Sequence, residues 1–176
     1  SGVKVKIAST KDEAQKYWAI RHESFNLLRH KVLGKQTAPF IDDIIVEPKF
    51  LPSFLPELYK ILDNYKLLYT ISGHLGDGNF HIIPLMDLAN KDEREKIFHV
   101  MKEVYSLVLR FGGSISAEHN DGLIRGPFIK DMFGEKVFEI FKEIKDIFDP
   151  LNIFNPHKKT DANWEYSFEH IKKPKA

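Results

Sequence analysis

The amino-acid sequence predicts an α+β fold, and three observations carry that expectation. Segments of strand and helix character alternate between Ile41 and Glu118 in the order β-α-β-β-α-β. A Gly76-Asp77-Gly78 turn joins the two central strands, and after Pro127 the pattern becomes helical. That order is the ferredoxin-like split βαβ antiparallel sheet with both helices on one face, followed here by C-terminal helices.

Val3, Val5 and Ile7 alternate with Lys4 and Lys6, the pattern of a short edge strand guarded by lysines. Ser9 or Thr10 caps a predicted helix whose first turn holds Asp12 and Glu13 and which runs to about Val32. It offers Tyr17, Trp18, Ile20, Phe25 and Leu28 for burial. Ile41 to Glu47 reads as a β-branched strand with an acidic entry, stopped by Pro48. A helix from about Leu51 to Tyr65 follows, with Phe54, Leu55, Leu58 and Leu62 at helical spacing, a stripe for a core. Leu67–Ile71 and Phe80–Leu85 flank the Gly-Asp-Gly turn as hairpin strands, since Gly tolerates positive φ and Asp bonds its own backbone. A long helix from about Asn90 to Arg110 ends at Gly112-Gly113, and a last strand is expected from Ser114. Helices are predicted over Pro127–Phe133 and about Glu135–Phe148, broken at Asp149-Pro150. The tail Leu151 to Pro156 reads as ordered but irregular, because its apolar residues call for burial while its prolines deny it a helix.

Length and charge restrict the function classes. With 176 residues the chain is expected to form one domain, residues 1–176, with a sizeable core. Its 26 Lys+Arg balance 25 Asp+Glu, so nothing points to nucleic acid or to an anionic membrane surface. The lack of Cys removes disulfides, thiolate metal sites and cysteine-ligated clusters, and is compatible with a reducing cytosol. No apolar run approaches 18 residues and no secretory signal is visible, so neither a membrane span nor export is expected. Ser1-Gly2 has the look of an expression scar.

The stretch Gly73-His74-Leu75-Gly76-Asp77-Gly78-Asn79-Phe80-His81 carries more polar chemistry than any core requires. A hairpin would bring His74 and His81 to one mouth, with opposed Cβ atoms about 5 Å apart, close enough for two imidazoles to share a metal. Two histidines alone make a poor site. Glu118, in Ser114-Ile115-Ser116-Ala117-Glu118-His119-Asn120-Asp121-Gly122, would complete a two-His, one-carboxylate set with open positions, leaving His119 free as a base. Histidines satisfied as turn residues are the bland alternative. Since neighbours on a strand point to opposite faces, Glu118 and His119 reach one site only if the strand ends, bulges or bends there. Arg21 is either a solvated helix residue or a guanidinium fork for a substrate carboxylate.

Gly-His-x-Gly-Asp-Gly-Asn-x-His at 73–81, Gly-Gly-x-Ile-x-Ala-Glu-His at 112–119 and Lys145-Asp146-Ile147-Phe148-Asp149-Pro150-Leu151-Asn152-Ile153-Phe154-Asn155-Pro156 together resemble the C-terminal domain of FAD-linked oxidases. That family includes D-lactate dehydrogenases, the flavin subunit of glycolate oxidase and D-2-hydroxyglutarate dehydrogenase. The resemblance runs from Trp18-Ala19-Ile20-Arg21 to Pro156. It implies a substrate, or cap, domain whose partner is an FAD-binding domain of the same parent chain, absent here before Ser1. It further implies a divalent metal (Zn, Mn or Fe) on His74, His81 and Glu118, with His119 as the base that takes the hydroxyl proton of a small 2-hydroxy-carboxylate substrate. Hydride would pass to FAD, which the absent domain mainly binds. By the same resemblance Arg21 clamps the substrate carboxylate, Asn79 lies near flavin or substrate, and Asn155 belongs to the cofactor-binding residues. Arg125 is either a contact for an anionic substrate or flavin phosphate, or, the commoner fate, a solvated arginine. The parent enzyme is expected in the cytoplasm or at the membrane periphery, and a homodimer is compatible with the reading.

Three positions depart from the family pattern. Asn120-Asp121-Gly122 follows His119 where many members have Gly-x-Gly, as in longer members that also bear an iron–sulfur module, for which this chain has no Cys ligands. His157 stands where the closing Asn-Pro-Gly-Lys has Gly, and Ile83 stands where hydroxyglutarate enzymes have a substrate-touching Asn. Two other classes compete with the dehydrogenase: a stand-alone metal-dependent hydrolase using the same ligands to activate water, and a non-catalytic ferredoxin-like binding module.

Overall fold

A computed structural model describes residues 6–31 and 34–171, the side chains of Arg21 and of residues 24–31 excepted. The chain divides into two compact units, residues 1–36 and 37–176. In the first, α1 (Lys11–Lys31) begins where Thr10 Oγ1 accepts the Glu13 N–H at 3.2 Å, as the capping residues predict. Tyr17, Trp18 and Ile20 are exposed rather than buried. Tyr17 and Ile20, three residues apart, share one face of the helix and Trp18 lies about 100° from Tyr17, while the side chains of Phe25 and Leu28 lie outside the described residues. Of the predicted edge strand, residues 3–5 lie outside the described residues, and Ile7 is exposed and not in a strand.

The second unit holds the sheet. A two-residue strand, β1 (Gln36–Thr37), precedes β2 (Ile41–Ile45), α2 (Leu51–Asn64), β3 (Leu68–Ser72), β4 (Asn79–Met86) and α3 (Lys91–Arg110). β4 is central: β2 pairs with it antiparallel along one edge, Asp42 opposite His81, and β3 pairs along the other, Ser72 opposite His81. On β4 the even-numbered Phe80, Ile82 and Met86 enter the core with Phe54, Leu58 and Leu62 of α2 and Ile97, Val100, Met101, Val104 and Val108 of α3. The odd-numbered Asn79 and His81 are equally buried but leave by the opposite face. That parity places the polar motif away from the helices.

The hairpin turn requires its glycines. Gly73 has φ 145° and Gly78 φ 76°, and a Cβ on Gly78 would lie 1.8 Å from Val46 O.

The expected fourth strand is reduced to one bridge. Ile45 and Ser114 exchange both backbone hydrogen bonds, at 3.0 and 2.9 Å, on the ferredoxin-like side of β2, and the ladder stops there. The reason is competition for donors: the N–H groups of Ala117, Glu118 and His119 turn inward to the carboxylate of Asp43 instead of pairing with β2. The α+β assignment and the strand order stand; the strand from Ser114 does not.

Beyond the bridge come α4 (Gly122–Arg125), α5 (Ile129–Phe133), α6 (Glu135–Phe148) and α7 (Trp164–Glu169). The predicted 127–133 helix is a 3-10 turn over Gly126–Phe128 continued by α5, and α7 was not foreseen. The tail after α6 is ordered as expected, around Asp149, which accepts the N–H groups of Ile153 and Phe154 at 2.9 and 2.8 Å. The Lys145 ammonium beside Asp149, helped by those backbone bonds and against the effect of burial, holds its carboxyl below the ordinary range. The tail's apolar residues are not buried: Leu151, Ile153 and Phe154 are exposed, as are Ile140, Ile144, Ile147 and Phe148, which share one face of α6 at i, i+4, i+7 and i+8. Two prolines and the Asp149 turn shape the backbone without apolar burial, which removes the premise of that expectation. No described helix is long and apolar enough to cross a membrane.

Candidate metal centre

β2 contains two successive acids in an apolar strand, and its backbone separates them. Ile41 and Ile44 both face the core, which strict alternation forbids; a bulge between Asp42 and Ile44 supplies the missing residue. Asp43 sits in the bulge with φ 70°, a left-handed conformation that Asp tolerates better than most side chains. Its buried carboxylate accepts from the N–H groups of Ala117, Glu118 and His119 at 2.8, 3.0 and 2.8 Å, and from Asn79 Nδ2 at 3.2 Å. Burial by itself would raise this carboxyl, but the three backbone donors outweigh it, and the pKa lies below the ordinary value.

That turn allows Glu118 and His119 to reach one place. Glu118 Oε1 lies 3.0 Å from His81 Nε2, 3.4 Å from His119 Nε2 and 3.5 Å from His74 Nε2. The ring centroids of His74 and His81 are 5.6 Å apart, edge to face, and those of His81 and His119 are 4.8 Å apart and nearly parallel. Asp42, opposite His81 in the sheet, places Oδ1 2.9 Å from His81 Nδ1 and Oδ2 3.0 Å from His119 Nδ1. His81 and Asp42 are nearly closed off, whereas His74, Glu118 and His119 are about half exposed. The cluster is thus walled on the sheet side and open on the other.

A metal suits these donors. Four ligands at about 2.0–2.1 Å in a tetrahedron are about 3.3 Å from one another, and the separations of Glu118 Oε1 from the three Nε2 atoms straddle that value. One oxygen of Asp43 also lies within 4.8 Å of a potential ligand atom on each of His81, Glu118 and His119. Its oxygens are already taken up by backbone donors, so it shapes the site rather than offering a ligand.

The structure brings together His74, His81, Glu118 and His119. Asn79 is buried, with its amide donating to Asp43 and to Ile44 O at 3.3 Å and its Oδ1 without a partner. Arg125 is not solvated: it is buried, and its guanidinium donates to Asn120 O at 2.7 Å and Asp42 O at 2.5 Å, tying the loop after His119 to the bulge. Asn155 lies elsewhere, exposed on the rim of a cavity of about 570 Å³ shared with Phe138, Phe141, Lys158 and Lys159, its Oδ1 accepting from Lys158 at 3.2 Å. The side chain of Arg21 lies outside the described residues. The sequence reading missed Asp42 and Asp43. Their one signal was a pair of adjacent acids inside an otherwise apolar β-branched run.

Comparison with known proteins agrees with the motifs. The family described as FAD linked oxidases, C-terminal domain, matches residues 1–159. A D-2-hydroxyglutarate dehydrogenase of Haemophilus influenzae is 28% identical over 152 residues, covering 86% of this chain and 15% of that protein. The glycolate oxidase subunit GlcD of Bacillus subtilis is 28% identical over 156 residues, covering 89% of this chain and 32% of its own length. A D-lactate dehydrogenase of Archaeoglobus fulgidus is 30% identical over 156 residues, covering 89% and 33% respectively. The chain therefore spans a third or less of each of these relatives, and over most of its own length it belongs to the family of FAD-linked oxidase C-terminal domains.

Proposed function

We propose that this chain is the substrate- and metal-binding part of a flavin-dependent enzyme that oxidises a small 2-hydroxy acid, of the D-lactate or glycolate type, to the 2-oxo acid. The observation that carries the proposal is the convergence of three imidazole Nε2 atoms on one oxygen of Glu118 at 3.0–3.5 Å. His74, His81 and Glu118 would hold a divalent metal. What the two cofactors supply when bound is Lewis acidity at the substrate hydroxyl and, from FAD, hydride acceptance.

His119 takes the hydroxyl proton at Nε2, on the half-exposed side of the cluster where a substrate enters. Asp42 and the buried face of β4 exclude water from the other side. Asp43 holds the turn that lets the side chains of Glu118 and His119 share one site, where consecutive residues of a strand would point to opposite faces. The exposed apolar face of α6, with Leu151, Ile153 and Phe154 after it, supports the second partner, an FAD-binding domain of the parent chain, because clustered exposed apolar side chains mark interaction sites. Arg21, Asn79, Arg125 and Asn155 keep their proposed substrate or cofactor contacts, with Asn79 and Arg125 also serving the internal hydrogen bonds described above.

Elemental analysis of the purified chain after loading with zinc, manganese or iron tests the metal. About one ion per chain is expected, lost in His74→Ala and Glu118→Ala; a wild-type chain empty under every loading condition would overturn the assignment. The full-length parent chain should show bleaching of its flavin on addition of D-lactate, glycolate or D-2-hydroxyglutarate. Hydrolytic turnover without flavin would instead favour water activation by the same ligands.

A further inference from the structure

The two outer edges of the sheet are finished differently. Along β2 the edge meets Ser114 in a bridge and then the turn held by Asp43. Along β3 the outer edge meets no backbone partner among the described residues. The hydrogen-bond phase of the hairpin fixes which groups lie there. His74 and Asn79 exchange both backbone bonds, at 3.1 and 3.3 Å, and along an antiparallel ladder bonded and non-bonded pairs alternate. With Ser72 opposite His81, Thr70 opposite Ile83 and Leu68 opposite Leu85, the even-numbered residues of β3 turn their N–H and C=O groups to β4. Pro84, opposite Tyr69, agrees with that phase: it has no N–H to give, and its carbonyl accepts from the Ala38 N–H at 2.8 Å on the far side of β4. The N–H and C=O groups of Tyr69 and Ile71 therefore point outward.

We infer that this edge pairs with β3 of a second copy of the chain, antiparallel and centred on Thr70, so that two sheets join into one. The outward groups lie one residue to each side of that centre. Tyr69 then meets Ile71 of the partner subunit and Ile71 meets Tyr69 of the partner subunit, and four hydrogen bonds satisfy every outward group of both strands at once. Thr70 faces Thr70 of the partner subunit in the non-bonded pair between them. The side chains suit the same register: an aromatic residue stands opposite a β-branched one at both bonded pairs, and the exposed Leu68 gains cover beside Ser72 of the partner subunit. Free edges are ordinarily guarded by charge, proline or a bulge. β3 has none of these, although 29% of the chain's residues are charged, so the strand meets its own copy without repulsion. The inference stands on the sheet alone and is independent of the metal-centre reading.

The chain has no Cys, so a single introduced thiol reports only on its own neighbour. Thr70→Cys sets two thiols in a non-bonded pair whose Cα separation of about 4.5 Å lies within the disulfide range of about 4.4–6.8 Å. Leu68→Cys, on the same face of β3, is the control: its own counterpart lies four residues along the partner strand, about 14 Å away and out of reach. Mild oxidation is expected to link Thr70→Cys into covalent dimers and to leave Leu68→Cys unlinked. Thr70→Lys and Thr70→Glu each set like charges face to face, so each alone is expected to sediment as a monomer, while an equal mixture of the two restores the dimer. All chains carry Phe148→Ser, Leu151→Ser and Phe154→Ser, which removes association through the exposed apolar residues after α6. A merely structural effect of Thr70 would not be repaired by mixing.

A chain with Thr70 intact that stays monomeric at millimolar concentration overturns the inference and leaves the edge to a strand of the parent chain or of another protein. Equal cross-linking of Thr70→Cys and Leu68→Cys overturns it too, as does a dimer that survives Thr70→Lys or is not restored by mixing. If either charged variant does not fold, sedimentation of the chain with Thr70 intact and the two cysteine variants decide alone.

Discussion

Replacing Asp43 by asparagine removes a charge from the middle of the structure while keeping shape and backbone preference, because asparagine also tolerates the φ of 70° found there. The cost can be worked from its partners. Three backbone N–H groups, of Ala117, Glu118 and His119, bond the carboxylate at 2.8–3.0 Å. A hydrogen bond to a charged group contributes about 1.5–3 kcal/mol and one between neutral groups about 0.5–1.5, so each of the three weakens by about 1 kcal/mol. The new Nδ2 would also face the amide of Asn79, now 3.2 Å from Asp43 Oδ1. Turning Asn79 over offers its unpartnered Oδ1 but surrenders its bond to Ile44 O, a further cost of up to about 1 kcal/mol. The sum is about 3–4 kcal/mol, a large part of the 5–15 kcal/mol typical of a domain. Urea unfolding should show the loss as a lower midpoint with unchanged slope, and zinc affinity should fall with it, since the same bonds place Glu118 and His119. A loss under about 1 kcal/mol with zinc affinity intact would refute the reasoning that the 117–119 turn is built on Asp43.

Further expectations follow from the same geometry. Because the Asp43 carboxyl is depressed in the folded chain, its stabilisation is present above the ordinary carboxylate value of about 3.9 and is lost as the pH falls through the folded value; unfolding curves of wild type and Asp43→Asn should therefore begin to approach each other below about pH 4 and come closest only below the folded value. Glu118→Gln changes a half-exposed side chain, so the unfolding free energy should stay within about 0.5 kcal/mol while zinc affinity falls by more than the ~10–100-fold that outer-shell changes cost. Phe54→Ala empties a fully buried position packed on Phe80 and Phe111 and should cost about 3–5 kcal/mol by urea unfolding. Serine in place of Phe148, Leu151 and Phe154 should reduce self-association seen by light scattering, with stability changed by less than about 1 kcal/mol, because all three side chains are exposed.

What the sequence determined by itself was local. The stripe of Phe54, Leu58 and Leu62, the Gly-Asp-Gly turn and the break at Asp149-Pro150 each follow from residues within a few positions of one another. The three motifs also located His74, His81, Glu118 and His119 before any coordinates did. Tertiary structure alone decided how those four meet. Asp43 lies 74 to 76 positions from the N–H groups it gathers, and no periodicity announces a bulge, a left-handed φ or the lost strand that results. The same holds for Asp42, which reaches His81 across 39 residues and His119 across 77, and for Arg125, whose charge suggested solvent and whose partners are backbone carbonyls. Propensity acts along the chain. A carboxylate that draws donors away from a β-ladder acts across it, and its effect exists only once the sheet has brought both together.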